Sequence, residues 1–211
     1  MMVFMFVDPR TAENFNRAIF NAIVAPRPIG WISSQSAEGA VNLAPFSHFA
    51  IVSTAPPVIL FSCNTPADRA EKDTLANVRA TGEFVFNLAT YDLREFVNKT
   101  STPAPHGVCE FDLAGLEKAP SVNVKPPRVL ASPANLECTL LRIVTIEPEL
   151  PGETPSNVVF GRVVGLHMRD EFVTATGRFD TAKAQPLTRL GGINYAPPGA
   201  IFEMPPPFKR A

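Results

Sequence analysis

Proline is the residue that most restricts how this chain can fold. The 211 residues include 22 prolines, which is about twice the average share in globular proteins. A proline inside a helix removes a backbone donor and clashes with the preceding turn. Because the prolines are spread along the whole chain, they exclude a helical bundle or a coiled coil and favour short strands joined by turns.

The overall composition indicates one folded domain. Hydrophobic residues make up 45% of the chain and charged residues 18%, so the chain is too apolar and too weakly charged to be disordered. We expect a single domain over residues 1–211, with a core at about 10–196 and a proline-rich C-terminal arm at 197–211.

The charge balance excludes two kinds of partner. The 19 basic and 20 acidic side chains leave a formal net charge of -1, so no overall field attracts the protein to nucleic acid or to an anionic membrane. The apolar opening MMVFMFV is interrupted by Asp8 and is too short for a signal or a membrane span. We therefore expect a cytoplasmic protein.

The cysteines and histidines do not indicate a metal site. The residues considered are Cys63, Cys109, Cys138, His48, His106 and His167. The cysteines are odd in number and widely spaced, and no two histidines fall at metal-ligand spacing. We expect reduced thiols and no metal.

The pattern of apolar and turn-forming residues predicts many short strands and a few short helices. Helices are predicted at residues 9–20, in the segment 65–81 with Asp73 or Thr74 as cap and Gly82 as stop, and at 93–99. Strands are predicted on both sides of a turn at 37–39, after Pro56-Pro57, at 83–89, and in a hairpin of 134–147 and 157–168. Residues 100–133 and the end of the chain from 181 are expected to be loops. This composition predicts a mainly β barrel or sandwich with helical decorations, and no dinucleotide-binding glycine motif is present.

One predicted helix start has the chemistry of an anion site. Lys72, Asp73 and Thr74 open the helix, where free amide donors and the positive end of the helix dipole favour an anion such as a terminal phosphate. Ser62, at the end of the preceding strand, adds a possible donor. An ordinary cap beside a solvated lysine remains the alternative.

A second group of polar residues lies on the first predicted hairpin. The segments RPIGWISS (27–34) and NLAPFS (42–47) bring Ser33, Ser34, Asn42 and Ser47 close together if their strands are adjacent. Such a surface can hold the edge of a planar heterocycle, with apolar contacts on its faces. A hairpin with a polar rim is the alternative.

The order of these motifs resembles a known family. RPIGWISS, NLAPFS, a strand ending in FS, KDT at a helix start, GEFVFNLA, NLECTL and RLGGINYA are similar in order to the flavin reductase-like family of FMN-binding split β-barrels, over roughly residues 10–200. The resemblance implies a mainly β, Greek-key split barrel with a few short helices, which forms a homodimer and binds one FMN per subunit near the interface.

The resemblance also implies which residues bind the cofactor. Those matching the family's phosphate site are Ser62, Lys72 and Thr74, with the amides around Asp73. Those matching its ring and ribityl site are Trp31, Ile32, Ser33, Ser34, Asn42, Leu43, Ala44 and Ser47, with Arg189 and Tyr195 from the C-terminal segment. Cys63 follows Ser62 and either faces the flavin or is a buried thiol, and His48 either reaches a nicotinamide pocket or is a structural or rim histidine.

The function implied is an NAD(P)H-dependent flavin reductase, in which NADH or NADPH passes hydride to flavin N5. Electrons then leave to free flavin, to oxygen, or to a partner such as a separate monooxygenase. No catalytic side chain is expected, because the cofactor performs the hydride chemistry. The alternatives are a flavoredoxin-like electron carrier without NAD(P)H activity and a flavin-binding protein with a structural or sensing role.

Overall fold

The computed structural model describes residues 5–10, 15–66, 70–102, 104–105, 108–150 and 152–207. His106 and the last four residues of the predicted C-terminal arm lie outside this part of the chain.

Short strands and short helices alternate along the described residues. The strands are β1 (Arg27–Pro28), β2 (Gly30–Gln35), β3 (Val41–Phe46), β4 (Phe49–Thr54), β5 (Pro57–Asn64), β6 (Glu83–Leu88), β7 (Lys118–Ala119), β8 (Arg128–Val129), β9 (Ala134–Ile146), β10 (Ser156–Met168), β11 (Thr188–Arg189) and β12 (Tyr195–Ala196). The helices are α1 (Arg17–Ile23), α2 (Asp73–Thr81), α3 (Arg94–Lys99), α4 (Glu110–Ala114) and α5 (Thr181–Ala184), with a 3-10 turn at Asp170–Phe172. The mainly β fold class predicted from the prolines and the strand patterns is confirmed.

The main sheet curves because of the way its edges are connected. It has seven antiparallel strands in the order β3-β2-β6-β9-β10-β5-β4. Its two edge strands, β3 and β4, are separated in the chain by Ser47 and His48 alone. Since two residues span only about 7 Å, the edges must approach each other and the sheet must bend into a barrel.

Strand β2 is buried on both faces because each face packs on a different core. Trp31 lies in a core with Phe111 of α4 and other residues of α3 and α4. Ile32, on the opposite face, lies in the barrel interior with Phe61 and with Val78 of α2. The barrel is therefore filled and partly closed by α2, while α3 and α4 cover the outside of β2 and β3.

A glycine on β10 makes room for an aromatic ring in the barrel interior. A Cβ atom placed on Gly161 would lie 2.2 Å from Cζ of Phe84. Phe84 is fully buried and packs edge-on against Phe61, with ring centroids 5.3 Å apart. The absence of a side chain at residue 161 is thus required by the position of the Phe84 ring.

The predicted hairpins and helix stop are confirmed. Ser34 lies opposite Asn42 across the turn between β2 and β3, and β9 and β10 form the predicted long hairpin. Gly82 ends α2 with a left-handed φ of 71° and donates its N–H to the carbonyl of Val78. These features depend on local turn and cap chemistry, which short sequence patterns carry.

Two predicted helix starts are wrong. Helix α1 begins at Arg17 rather than at Pro9, because the Asn16 side chain caps it by accepting from the amide of Ala18. The N-cap of α2 is Lys72 rather than Asp73 or Thr74. Thr74 instead accepts a hydrogen bond from a distant residue, as described below.

The segments expected to be loops contain short elements. Helix α4 and the β7–β8 pair lie within residues 100–133, and α5 and the β11–β12 pair lie near the C-terminus. Strand β11 also pairs with β1, so the C-terminal segment packs beside the start of β2. The arm is without regular structure over 197–207.

Candidate functional site

A cavity of about 260 Å³ lies at the start of α2. The predicted site residues that line it are Asn42, Ala44, Lys72, Asp73 and Thr74. Residues that the sequence analysis did not single out complete the wall, among them Thr100, Ser101 and Glu110. We call it the first cavity. It brings together the start of α2 and β3, which carry the two sequence motifs.

The start of α2 is held against β3 by a buried hydrogen bond. The Asn42 side-chain amide donates to the Thr74 hydroxyl, with 2.7 Å between Nδ2 and Oγ1. The Lys72 ammonium lies 5.6 Å above the Phe46 ring centroid, an arrangement that is electrostatically favourable for a cation. Lys72, Asp73 and Thr74 at the start of α2 thus line the first cavity together with Asn42 of β3.

Glu110 is a buried carboxylate in the same wall. Its Oε2 atom accepts from the backbone N–H of Leu43 at 3.0 Å, which ties α4 to the outer edge of β3. The pKa of Glu110 is raised, chiefly because of burial and also because of the nearby Asp73 charge. Hydrogen bonds from the N–H groups of Leu43 and of Glu110 itself oppose that shift.

A second cavity of about 310 Å³ adjoins the first, since both are lined by Pro45 and Ser101. Three more predicted residues line this second cavity, namely Ser47 of the hairpin group and, from the family resemblance, Arg189 and Tyr195. Its other lining residues are Ile29, Asn98 and Ile193. The two cavities together bring eight of the predicted site residues to one connected depression.

Arg189 and Tyr195 lie opposite each other on β11 and β12. The Arg189 guanidinium lies 4.4 Å above the Tyr195 ring centroid and donates to the Tyr195 hydroxyl and to the carbonyl of Gly192. This pairing holds both side chains at the rim of the second cavity.

Five predicted residues lie behind the cavity walls. Trp31, Ile32, Ser33, Ser34 and Leu43 are buried and line neither cavity. Trp31 donates its indole N–H to the Thr100 hydroxyl at 2.9 Å, Ser33 donates to the carbonyl of Pro127 at 2.6 Å, and Ser34 accepts from Asn77 at 3.1 Å. Their side chains lie beneath the cavity surface rather than forming it.

Ser62 and Cys63 lie on β5 and line neither cavity. Burial raises the pKa of the Cys63 thiol to about 11; the nearby Lys72 charge opposes this shift, and the Glu71 charge adds to it. The Lys72 charge is thus close enough to act on Cys63. A thiol with this pKa stays protonated at neutral pH and is a poor nucleophile.

His48 lies at a separate cavity beside α1. Its Nε2 atom is 3.3 Å from Oδ1 of Asn21, and its pKa is lowered by burial and by the charge of Arg27. His167 is also remote, because it pairs with Glu137 at 2.5 Å.

The residues missed by the sequence analysis come from segments without a recognisable motif. Asn98, Thr100 and Ser101 stand at the end of α3, and Glu110 is in a segment predicted to be a loop. A local pattern gives no sign of Glu110, because its partner Leu43 is 67 residues away.

The described residues form a small antiparallel barrel with a connected depression at its outer edge. The family model of the flavin reductase like domain matches residues 24–183. The chain therefore belongs to the flavin reductase-like family, and its fold is the predicted split barrel.

The chain is similar to proteins of several organisms. It is 35% identical over 173 residues to an uncharacterized protein of Aquifex aeolicus, covering 82% of this chain and 85% of that one. Nitrilotriacetate monooxygenase component B from Bacillus cereus is 29% identical with a TM-score of 0.88, covering 97% of this chain and 100% of that one. Flavoredoxin of Desulfovibrio vulgaris (Miyazaki F) shares the fold at 16% identity, with a TM-score of 0.72 over 86% of this chain and 91% of that one.

The helices of the described residues are all too short or too polar to cross a membrane.

Proposed function

We propose that the protein binds FMN in the connected cavities and acts as an NAD(P)H-dependent flavin reductase. The observation that carries the proposal is the first cavity, which is lined by the start of the nine-residue helix α2 with Lys72 at its N-cap and Thr74 in its first turn. Backbone amides at a helix start, a cation and a hydroxyl are the donors that a phosphate needs. Membership of the flavin reductase-like family supports the choice of a flavin phosphate.

The size of the site fits this ligand. Each cavity, at about 260 Å³ and about 310 Å³, is near the lower end of the range of roughly 300–1,000 Å³ for ligand pockets. Together they fall within that range. In this proposal the first cavity holds the phosphate, and the second receives the ring beside Ser47, Arg189 and Tyr195.

The chain's own residues bind and orient the cofactor. Lys72 and Thr74 would hold the phosphate, and Asn42 fixes Thr74 through their hydrogen bond. A bound flavin supplies the hydride chemistry, so the protein contributes position and electrostatics. No side-chain acid or base is assigned a role.

The electron donor is tested by mixing the FMN-loaded protein anaerobically with NADH or with NADPH. Bleaching of the flavin absorbance with one of the two is the expected result. The absence of bleaching with both nucleotides would refute the reductase and leave an electron carrier that keeps FMN bound. We further propose that the reduced flavin or its electrons pass to a separate monooxygenase, which is supported by the likeness to a monooxygenase component B.

The phosphate site is tested by Lys72→Ala. Loss of a hydrogen bond between charged groups costs about 1.5–3 kcal/mol, which corresponds to roughly 10- to 150-fold weaker FMN binding. Riboflavin lacks the phosphate and should bind the variant almost as it binds the original protein. Lys118→Ala is the matched control, because Lys118 pairs with Asp112 and lines neither cavity. Equal weakening of FMN and riboflavin by Lys72→Ala would show that the phosphate is placed wrongly.

We also propose that the protein is a homodimer. Apolar side chains of α1 are exposed, including Phe20, Ile23 and the adjoining Val24, and so are Ile201 and Phe202 of the C-terminal arm. A second copy of the chain would cover these surfaces, with the arm lying across its partner. Sedimentation should give twice the chain mass of 22.9 kDa, and a monomer that binds FMN tightly would contradict the dimer.

A cytoplasmic location is supported by the thiols. Cys63, Cys109 and Cys138 are all free, as expected for a protein of a reducing compartment.

A further inference from the structure

The first cavity has an unusual charge balance for a phosphate site. Lys72 provides a positive charge, but Asp73 and Glu110 line the same cavity with carboxyl groups. Glu110 is 7% exposed, so water screens its charge poorly. With both carboxyl groups ionised, a phosphate entering this cavity would lie near two negative charges and one positive charge.

Strand β3 and helix α3 pack against α4, the helix that carries Glu110. Strand β3 has no titratable side chain. The charged residues of α3 are engaged elsewhere: Arg94 pairs with Glu95, and Lys99 lies over the Phe96 ring. On α4 itself, Asp112 pairs with Lys118.

Helix α2 begins at this cavity with Lys72 at its N-cap and Asp73 in its first turn, whereas Arg79 in its last turn pairs with Glu71. Among the described residues, Asp73 is therefore the carboxylate whose charge acts on Glu110, and it already raises the Glu110 pKa. A nearby phosphate would act in the same direction, since like charges favour the protonated form of a carboxyl group.

We propose that Glu110 takes up a proton when a phosphorylated flavin enters the first cavity. FMN binding is then accompanied by proton uptake, whereas riboflavin binding is not. This inference rests on the proposed function. The proton comes from solvent and adds to the Glu110 carboxylate, which becomes a neutral acid. The resulting O–H can donate to an oxygen of the ligand, and the carbonyl oxygen continues to accept from Leu43.

The linkage makes FMN affinity depend on pH in a defined direction. Because binding takes up a proton, affinity falls as pH rises, by up to about tenfold per pH unit for one proton. The phosphate of FMN has its own second ionisation near pH 6. Measurements from about pH 7 to about pH 8.5 therefore isolate the protein's contribution.

The experiment is titration calorimetry of FMN and of riboflavin in two buffers with different ionisation enthalpies. The original protein should take up a measurable fraction of a proton, up to one, with FMN and none with riboflavin. Glu110→Gln keeps an oxygen for the Leu43 N–H and should abolish the uptake and the fall in affinity with pH. Glu117→Gln is the matched control, because Glu117 is exposed and lines neither cavity, and its uptake should equal that of the original protein.

The outcomes separate this inference from the proposed function. FMN binding by the original protein without proton uptake, or with uptake that persists in Glu110→Gln, overturns the role of Glu110 alone. Failure of the original protein to bind either flavin overturns the proposed function and this inference with it. If Glu110→Gln does not fold, Asp73→Asn provides the second variant: removing the neighbouring charge should reduce the uptake, and an unchanged uptake would count against the inference.

Discussion

Glu137 of β9 offers a sharp test of how this barrel is stabilised. Its side chain is fully buried. One carboxylate oxygen accepts from the Val122 N–H at 2.7 Å and lies 2.5 Å from His167 Nε2, and the other accepts from the Asn123 N–H at 2.6 Å. Both oxygens are therefore needed, and the replacement Glu137→Gln removes one of them at almost constant volume.

The expected loss follows from these contacts. The glutamine amide has a single acceptor, so one backbone N–H of the 122–123 turn would face an amide N–H₂ donor and remain unpaired. Leaving a buried donor unsatisfied costs about 1–3 kcal/mol. For a chain of 211 residues, that corresponds to a Tm lowered by roughly 2–12 °C.

Thermal and urea unfolding of the FMN-free protein, followed by circular dichroism, measure the effect. Glu117→Gln on the surface should change the stability by less than about 0.5 kcal/mol. A double-mutant cycle with His167→Gln isolates the pairwise part, which should be clearly above zero. A Glu137→Gln variant as stable as the surface control would refute the reasoning.

The pH dependence of this effect has a definite sign. Burial, the largest influence, acts to raise the pKa of Glu137, but the hydrogen bonds from His167, Val122 and Asn123 outweigh it and lower the pKa in the folded protein. A carboxylate with a lowered folded pKa stabilises the fold fully above its unfolded pKa of about 4.3 and loses that contribution as pH falls through the folded value. The stability difference between the original protein and Glu137→Gln should thus shrink below about pH 4.3.

Gly161→Ala should destabilise the protein by about 1–3 kcal/mol or more in urea unfolding, because the new methyl group overlaps the Phe84 ring; unchanged stability would show that the ring can move aside. Cys109 is half-buried, whereas Cys63 and Cys138 are buried with raised pKa values. In the native protein one thiol should therefore react with a disulfide reagent at pH 8, and in the unfolded protein all three should react. Cys109→Ser should abolish the reaction of the native protein.

The local features of the fold could be predicted because neighbouring residues determine them. The turn before β3 and the end of α2 at Gly82 follow from short-range turn and cap chemistry. The predicted cap of α2, Asp73 or Thr74, was one or two residues away from the observed N-cap Lys72 for a related reason. The Thr74 hydroxyl that could have capped the helix bonds instead to Asn42, 32 residues away, and no local pattern contains that competitor.

Part of the candidate site could be predicted in the same way. Lys72 and Thr74 carry their chemistry in adjacent positions, and the structure places both in the first cavity. Ser33 and Ser34 stand one after the other on β2, so their side chains point to opposite faces, and tertiary contacts bury both. Ser33 bonds to Pro127 and Ser34 to Asn77, which takes both side chains away from the cavity surface.

The sequence by itself determined the class of fold, since the spread of prolines and the short apolar runs leave little room for anything but a mainly β domain. Its ordered motifs also indicated the family. Only the tertiary structure decided that Glu110 joins Lys72 and Asp73 in one cavity wall and that Glu137 is buried against His167. Those contacts depend on strand order and on packing between segments 30 or more residues apart. The charge of a site is set by such contacts rather than by neighbours in the chain.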